Sequence, residues 1–415
     1  MKVVRGYKTE LDLNNKQRTA CLQHAGAARF AYNWALARSQ EVYRTTGKRP
    51  NAIALHKELN ALKKTDFPWM YGVSKCAPQE ALRDLDNAYK HFFRRVELKK
   101  QGKYKGKLGF PTFKKKSKGI GSFRLTGSIH VFAHAVQLPR LGRLRFHEHN
   151  YIPTDAKILS ATVSEQAGRW FVSIQVEEEH DTPVMTATST IGVDLGIKTL
   201  ATCSDGMIFA NPRALKHAQK SLKRLERQKS RRKKGSKNRA KTCKRIAKQH
   251  ARIANIRKDA SHKLTSYLSK NHALIAIEDV HVAGMLKNHS LAQAVSDSNF
   301  GEIRRQLTYK AEWHGSHLVT VDRFYPSSKT CSGCGYVKAE LSLQERTFIC
   351  EQCGLVIDRD MNAAINLRDA AVSSIDTQNA YGERSAGLLN GVGETTLVEL
   401  GTKGDVWALP HISMF

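Results

Sequence analysis

Three carboxylates stand where an unpaired charge would be costly. Asp194 interrupts the apolar run 191–195 (IGVDL), Glu278 lies near the carboxyl end of 273–280 (ALIAIEDV), and Asp360 falls in 357–367 (IDRDMNAAINL), where Ala363, Ala364 and Leu367 favour a helix. An acid within a buried strand needs a hydrogen-bonded partner or a metal ion to neutralise it. The three are 84 and 82 residues apart, so only the fold can bring them together. Together they could hold a pair of divalent cations about 3.5–4 Å apart, which activates a water and stabilises the leaving oxygen of a phosphodiester. Each acid taken alone reads equally well as a turn or cap residue. Asp279 and Asp358 are adjacent rivals; Glu278 is preferred because it lies within its apolar segment, and Asp360 because it stands two before Asn362 in a D-x-N-A-A run.

A second set of ligands is more specific. Cys331-x2-Cys334 and Cys350-x2-Cys353, fifteen residues apart, have the spacing of two zinc knuckles facing each other as a ribbon, with Gly335 and Gly354 allowing the tight turns. The other four cysteines, Cys21, Cys76, Cys203 and Cys243, have no partner spacing and read as reduced thiols. The third chemical feature is charge. With 68 Lys and Arg against 37 Asp and Glu, the formal net charge is +31, which points to a polyanionic partner, nucleic acid first. Residues 213–258 carry twenty Lys and Arg against one acid, Glu226. A run of this kind is usually a solvated helix face, yet so large an excess of one sign repels itself without a counter-anion. Residues 99–118 (KKQGKYKGKLGFPTFKKKSK) interleave Tyr104, Phe110 and Phe113 with basic residues, a texture suited to a phosphate backbone and a stacked base.

The elements that must position these groups follow from periodicity. Residues 191–210 read as strand, turn, strand, with the turn at Ser204-Asp205-Gly206. Two helices forming a hairpin about Gly235 follow, then the Glu278 strand, a helix over 298–313, a strand over 317–324, the knuckles and the Asp360 helix. Upstream, 1–13 alternate as a first strand, Asn14 or Asn15 caps the first of three helices ending near Arg95, and five short strands lie between 123 and 177, suggesting a small barrel or sandwich. A Thr-rich linker, 181–189, separates the two halves, and 372–415, rich in Ser, Gly and Thr, is expected to be flexible. No apolar run approaches the roughly 20 residues of a membrane span, and the charged start (MKVVRGYKTE) lacks a signal-peptide core, so a soluble cytoplasmic protein is expected.

The order of these elements, with acids on the first strand, a later parallel strand and the last helix, resembles the RNase H-like nuclease fold in its RuvC form. RFAYNWAL at 29–36, GFPTFKKK at 109–116, GVDLGIK at 192–198, IEDV at 277–280, FYPSSKTCSGCG at 324–335 and CGLVIDRDMNAAINL at 353–367 resemble the TnpB (OrfB) family of bacterial insertion sequences, relatives of the type V CRISPR effectors. The resemblance implies an α/β plus all-β protein. A β-barrel (1–13 and 99–185) carries a helical recognition insertion (14–98) and precedes a RuvC-like nuclease domain (186–371) with an inserted zinc ribbon (326–356); the tail (372–415) is not covered. It further implies an RNA-guided DNA endonuclease, nucleoid-associated when on target, in which a guide RNA from the transposon end pairs with double-stranded target DNA and the protein reads a short adjacent motif. Asp194, Glu278 and Asp360 match the catalytic acids, holding two Mg²⁺, and Cys331, Cys334, Cys350 and Cys353 match the structural Zn²⁺ ligands. Arg29, Lys114, Lys115, Lys116, Arg231, Arg232, Lys233 and Lys234 are the expected nucleic-acid contacts. A DNA-binding transposase and a non-cleaving DNA-binding regulator are the alternatives.

Overall fold

The computed structural model describes residues 2–179, 189–342 and 344–388, the side chains of Lys118 and 375–388 excepted. The expected linker lies outside them apart from Ser189, as does the tail from 389 onward. The first half contains β1 (Lys2–Asp12), α1 (Asn15–Thr46), α2 (Ala52–Leu62), α3 (Cys76–Lys100), β2 (Ser122–Leu125), β3 (His130–Phe132), β4 (Ala135–Leu138), β5 (Gly142–Phe146), β6 (Lys157–Gln166) and β7 (Arg169–Glu179). Asn14 starts α1 through a reciprocal box with Gln17, each side chain accepting from the other's backbone amide. Gly47, at φ 68°, ends it.

The seven strands form one antiparallel sheet in the order β2-β6-β7-β1-β5-β4-β3, and no pairing of β2 with β3 closes it among the described residues. β4 is a seventh strand beyond the six expected from the sequence. The helices do not form a core of their own: Leu36, Leu55, Leu82 and Leu85 share one apolar cluster with Phe123, Leu144, Val172 and Ile174 of the sheet.

The second half contains β8 (Thr190–Asp194), β9 (Thr199–Cys203), β10 (Ile208–Ala210), α4 (Ala214–Arg231), α5 (Lys237–Asn271), β11 (Leu274–Glu278), α6 (Val282–Met285), α7 (Ala292–Ser298), α8 (Phe300–His314), β12 (His317–Val321), β13 (Thr347–Ile349), β14 (Val356–Asp358) and α9 (Arg359–Leu388). Its five-stranded sheet has the order β10-β9-β8-β11-β12, with β8, β11 and β12 parallel. α5 and α8 cover one face through Leu264, Leu268, Ile303 and Leu307; α9 covers the other through Leu367 and Ala371.

Two expectations are corrected. β12 ends at Val321 rather than Phe324, because Asp322 turns the chain, its carboxylate accepting from the Phe324 amide and its carbonyl from the Tyr325 amide. The segment expected to be flexible from 372 begins as helix, since α9 continues to Leu388. No Gly or Pro interrupts it before Gly382, so an already nucleated helix propagates at little cost per residue.

Candidate metal centres and nucleic-acid surfaces

Strand alternation puts two of the acids on one face. In β8, Ile191 and Val193 enter the core under α5 and α8, so Gly192 and Asp194 face α9. In β11, Ile275 and Ile277 enter that same core while Leu274 and Ala276 pack on Leu367 and Ala371 of α9, so Glu278 faces α9 as well. The parallel register pairs Ile277 with Val193, which sets Glu278 level with Asp194 at the carboxyl ends of neighbouring strands. Asp360, in the first turn of α9, completes the group. The helix can approach this closely because Gly192 has no side chain: a Cβ there would overlap the Ala364 carbonyl oxygen and the Arg368 amide.

The electrostatics report the same proximity. Burial, followed by the charges of Asp360 and Glu278, pushes the Asp194 carboxyl from its ordinary 3.8 up to about 7, against a lowering pull from Arg359. Glu278 is also raised, by burial and then by Asp279. Asp360 accepts from Arg359 at 3.1 Å and lies 4.0 Å from Arg346. The rivals have other partners. Asp279 is gripped by Arg304 (2.5 Å) and by Arg323, which hold its carboxyl below the usual range. Asp358 caps α9, one oxygen accepting from the amides of Asp360 and Met361 at 3.0 Å each. Three half-buried carboxylates, of which Asp360 and Glu278 raise the proton affinity of Asp194, form a hard-oxygen donor set that a divalent cation would fit. Their oxygens do not draw together as tightly as the cysteine sulfurs.

Those sulfurs all lie within 4.8 Å of one another. Cys331 and Cys353 are 3.6 Å apart and Cys334 and Cys350 3.5 Å apart, far beyond a disulfide and close to the edge of a sulfur tetrahedron around zinc, about 3.8 Å for Zn–S bonds of about 2.3 Å. Gly335 and Gly354, at φ 76° and 74°, turn each knuckle so that their amides donate to the carbonyls of Cys331 and Cys350. The Cys353 amide donates to the Cys350 sulfur at 3.5 Å and draws that thiol down to about 6. This donor set fits Zn²⁺.

Two residues that join the centres were legible only in part. Asn362 is fully buried; its amide donates to the Thr330 carbonyl at 2.7 Å and its oxygen accepts from the Ser332 amide at 2.9 Å. Asn366, one turn on, donates to the carbonyls of Ser327 and Thr330 at 2.7 and 2.6 Å. Two asparagines at i, i+4 within a helix were the available signal, since Asn is a poor helix former unless its side chain is satisfied. Asp297, also missed, is buried and accepts from the amides of Leu215 and Lys216 and from Arg257 at 2.8 Å, fixing the start of α4 to α7 and α5. No sequence spacing marked it.

The basic residues divide into displayed and engaged. Arg231, Lys233 and Lys234 are exposed at the tip of the α4–α5 hairpin, whereas Arg232 folds inward onto the Asn238 carbonyl (2.6 Å) and the Thr242 hydroxyl. Lys115 and Lys116 are exposed. The backbone of Lys114 is clasped by both ends of the Asn33 amide, at 2.8 and 2.9 Å, with its ammonium 4.0 Å from the centre of the Tyr32 ring. Arg29 donates to the Ile120 carbonyl at 3.1 Å. RFAYNWAL and GFPTFKKK thus meet in space.

Comparison with known proteins gives three family matches. A family described as "Probable transposase" matches residues 173–289, a "Cas12f1-like, TNB domain" matches 300–367, and a "Helix-turn-helix domain" matches 1–48, residues that here form β1 and α1. The chain is 34% identical over 385 residues to "Putative RNA-guided DNA endonuclease InsQ" of Escherichia coli (strain K12), covering 88% of this chain and 92% of that one. It is 34% identical over 376 residues to a "Putative RNA-guided DNA endonuclease" of Streptomyces pristinaespiralis, covering 90% of each. The cryo-EM structure of a Cas12f1-sgRNA-target DNA complex aligns with 88% of this chain and 99% of its own at 16% identity and a TM-score of 0.33, below the level at which a shared fold follows. On the identity and coverage of its relatives, this protein belongs to the TnpB/OrfB_IS605 family.

Proposed function

We propose that the protein is a transposon-associated, RNA-guided DNA endonuclease. The observation that carries this reading is the gathering of Asp194, Glu278 and Asp360, from two strands and a helix, on one face of the five-stranded sheet, where Asp194 feels the other two acids. The named activity of its relatives agrees with it. The fold is read as RuvC-like, with the seven-stranded sheet as the wedge-like unit that carries the helical recognition insertion.

Two Mg²⁺ ions at the acids would supply an activated water and stabilise the leaving oxygen. The chain's part is to place oxygen ligands: the parallel ladder fixes Asp194 and Glu278, and the first turn of α9 fixes Asp360. Zn²⁺ on the four cysteines is structural. Lys115, Lys116, Arg231, Lys233 and Lys234 face guide RNA or target DNA, while Arg29, Lys114 and Arg232 hold the segments that present them.

The test is to sequence the RNA that co-purifies with the protein, then offer matched double-stranded DNA with Mg²⁺. Wild type should cut, and Asp194→Ala, Glu278→Ala and Asp360→Ala should bind without cutting, because affinity comes from basic surfaces and guide pairing. Cleavage by all three variants would end the assignment, and joining of transposon ends without guide RNA would favour a transposase.

A further inference from the structure

Phe324 opens the FYPSSK motif and is 86% exposed, the highest value among the exposed large apolar side chains of the described residues. A solvated loop offers no reason for a phenylalanine, since a buried ring would contribute roughly 1.5–3 kcal/mol that this one forgoes. Nor is the loop loose. Asp322 accepts from the Phe324 amide at 2.8 Å, Arg323 is tied to Asp279, Tyr325 packs into the cluster of Leu274, Ala276 and Leu367, and Asn366 grips Ser327. The residues on either side are anchored and the ring between them is offered to solvent.

Its location gives the display a direction. Val321, three residues earlier, pairs in register with Glu278, and the Asp279 amide donates to the Val321 carbonyl. Phe324 therefore stands at the carboxyl end of the sheet, one strand beyond Glu278 in the order Asp194, Glu278, Phe324. Its cationic neighbour Arg323 is held on Asp279, which it shares with Arg304, so the ring itself offers a flat apolar surface beside a fixed positive charge.

We infer that Phe324 is a stacking platform for an unpaired base of the DNA strand delivered to Asp194, Glu278 and Asp360. This rests on the nuclease reading and adds a contact that fixes the strand at the cut. Stacking is sequence-tolerant because every base has a π-face, which suits a site whose target is chosen by a guide.

The experiment uses the full chain with its guide RNA and matched DNA carrying 2-aminopurine at successive positions of each strand. Binding is read by fluorescence in Mg²⁺-free buffer and cutting by single-turnover rates with Mg²⁺. Wild type and Phe324→Trp should quench one position near the cut, and Phe324→Ala and Phe324→Leu should not. Cutting by the Ala and Leu variants should slow about tenfold, within the range of one base–aromatic stack, with thermal stability unchanged. Wild-type quenching and rate in Phe324→Ala would overturn the inference. So would wild-type behaviour of Phe324→Leu, which shows need of bulk alone, or a change of oligomeric state in Phe324→Ala. If wild type itself does not cut, the nuclease reading falls, and the quenching comparison alone decides for or against Phe324.

Discussion

Asp194→Asn separates the cost of building the acidic site from its use. The wild-type carboxyl rises from 3.8 to about 7 in the folded chain. Below pH 4 the acid is protonated folded and unfolded, and its contribution to stability is fully present. Between pH 4 and 7 the unfolded chain gives up the proton while the folded chain keeps it, so stability falls with rising pH; above 7 the folded protein carries the whole loss. At about 1.4 kcal/mol per pH unit, the rise amounts to at most about 4 kcal/mol. Water reaching a half-buried group roughly halves this, leaving about 2 kcal/mol.

The amide of the variant would be neutral throughout. In Mg²⁺-free buffer at pH 8, Asp194→Asn should therefore unfold later than wild type, its nuclease-core transition raised by roughly 5 °C, with the two proteins converging as pH falls toward 4. Scanning calorimetry measures this, without chelator, so that zinc stays in place. Added Mg²⁺ should reverse the order: wild type gains, more at pH 8 than at pH 6 because the ion competes with the Asp194 proton, and the variant gains little. A variant less stable than wild type at pH 8 without Mg²⁺ would refute the reasoning, since Asp194 would then be contributing a favourable interaction rather than bearing repulsion.

Three further outcomes are expected. Gly192→Ala should push α9 off β8, costing roughly 1–3 kcal/mol in chemical denaturation and abolishing Mg²⁺-dependent cleavage while RNA binding persists. Cys350→Ser should lose zinc by elemental analysis and lower cleavage, because the ribbon's binding free energy is its folding free energy. Replacing Arg231, Lys233 and Lys234 with Gln should flatten the salt dependence of duplex binding by up to about 0.9 in the log–log slope per lost phosphate contact, whereas an unchanged slope returns the hairpin tip to an ordinary solvated face.

Much of the site was readable because its signals are local. A carboxylate in an apolar strand, four cysteines at knuckle spacing and a D-x-N-A-A run each announce themselves within a few residues. The strand register was not readable. Whether Glu278 or Asp279 faces α9 depends on which alternate residues of β11 meet Leu367, a contact across about ninety positions that periodicity does not encode. The split of the basic residues was equally hidden: Arg231 and Arg232 are neighbours of the same chemistry, and only the turn geometry sends Arg232 inward to Thr242. A charge count identifies the partner's class and leaves open which charges reach it.

The placement of these groups makes α9 the junction of both centres. Asp360, Ala364 and Asn366 lie along the first two turns of one helix, with Asp360 and Asn366 about 9 Å apart along its axis. Its Asp360 end faces the strand carboxylates, the backbone at Ala364 rests on Gly192, and Asn362 and Asn366 hold the loop that leads into the cysteines. A helix of this kind does not bend over two turns without a Pro or an inserted partner. Displacing the loop therefore strands two buried amides or moves the helix, and moving the helix moves Asp360. A zinc ion on the four cysteines would then contribute to the acidic centre without touching it, by keeping the loop where Asn362 and Asn366 are satisfied.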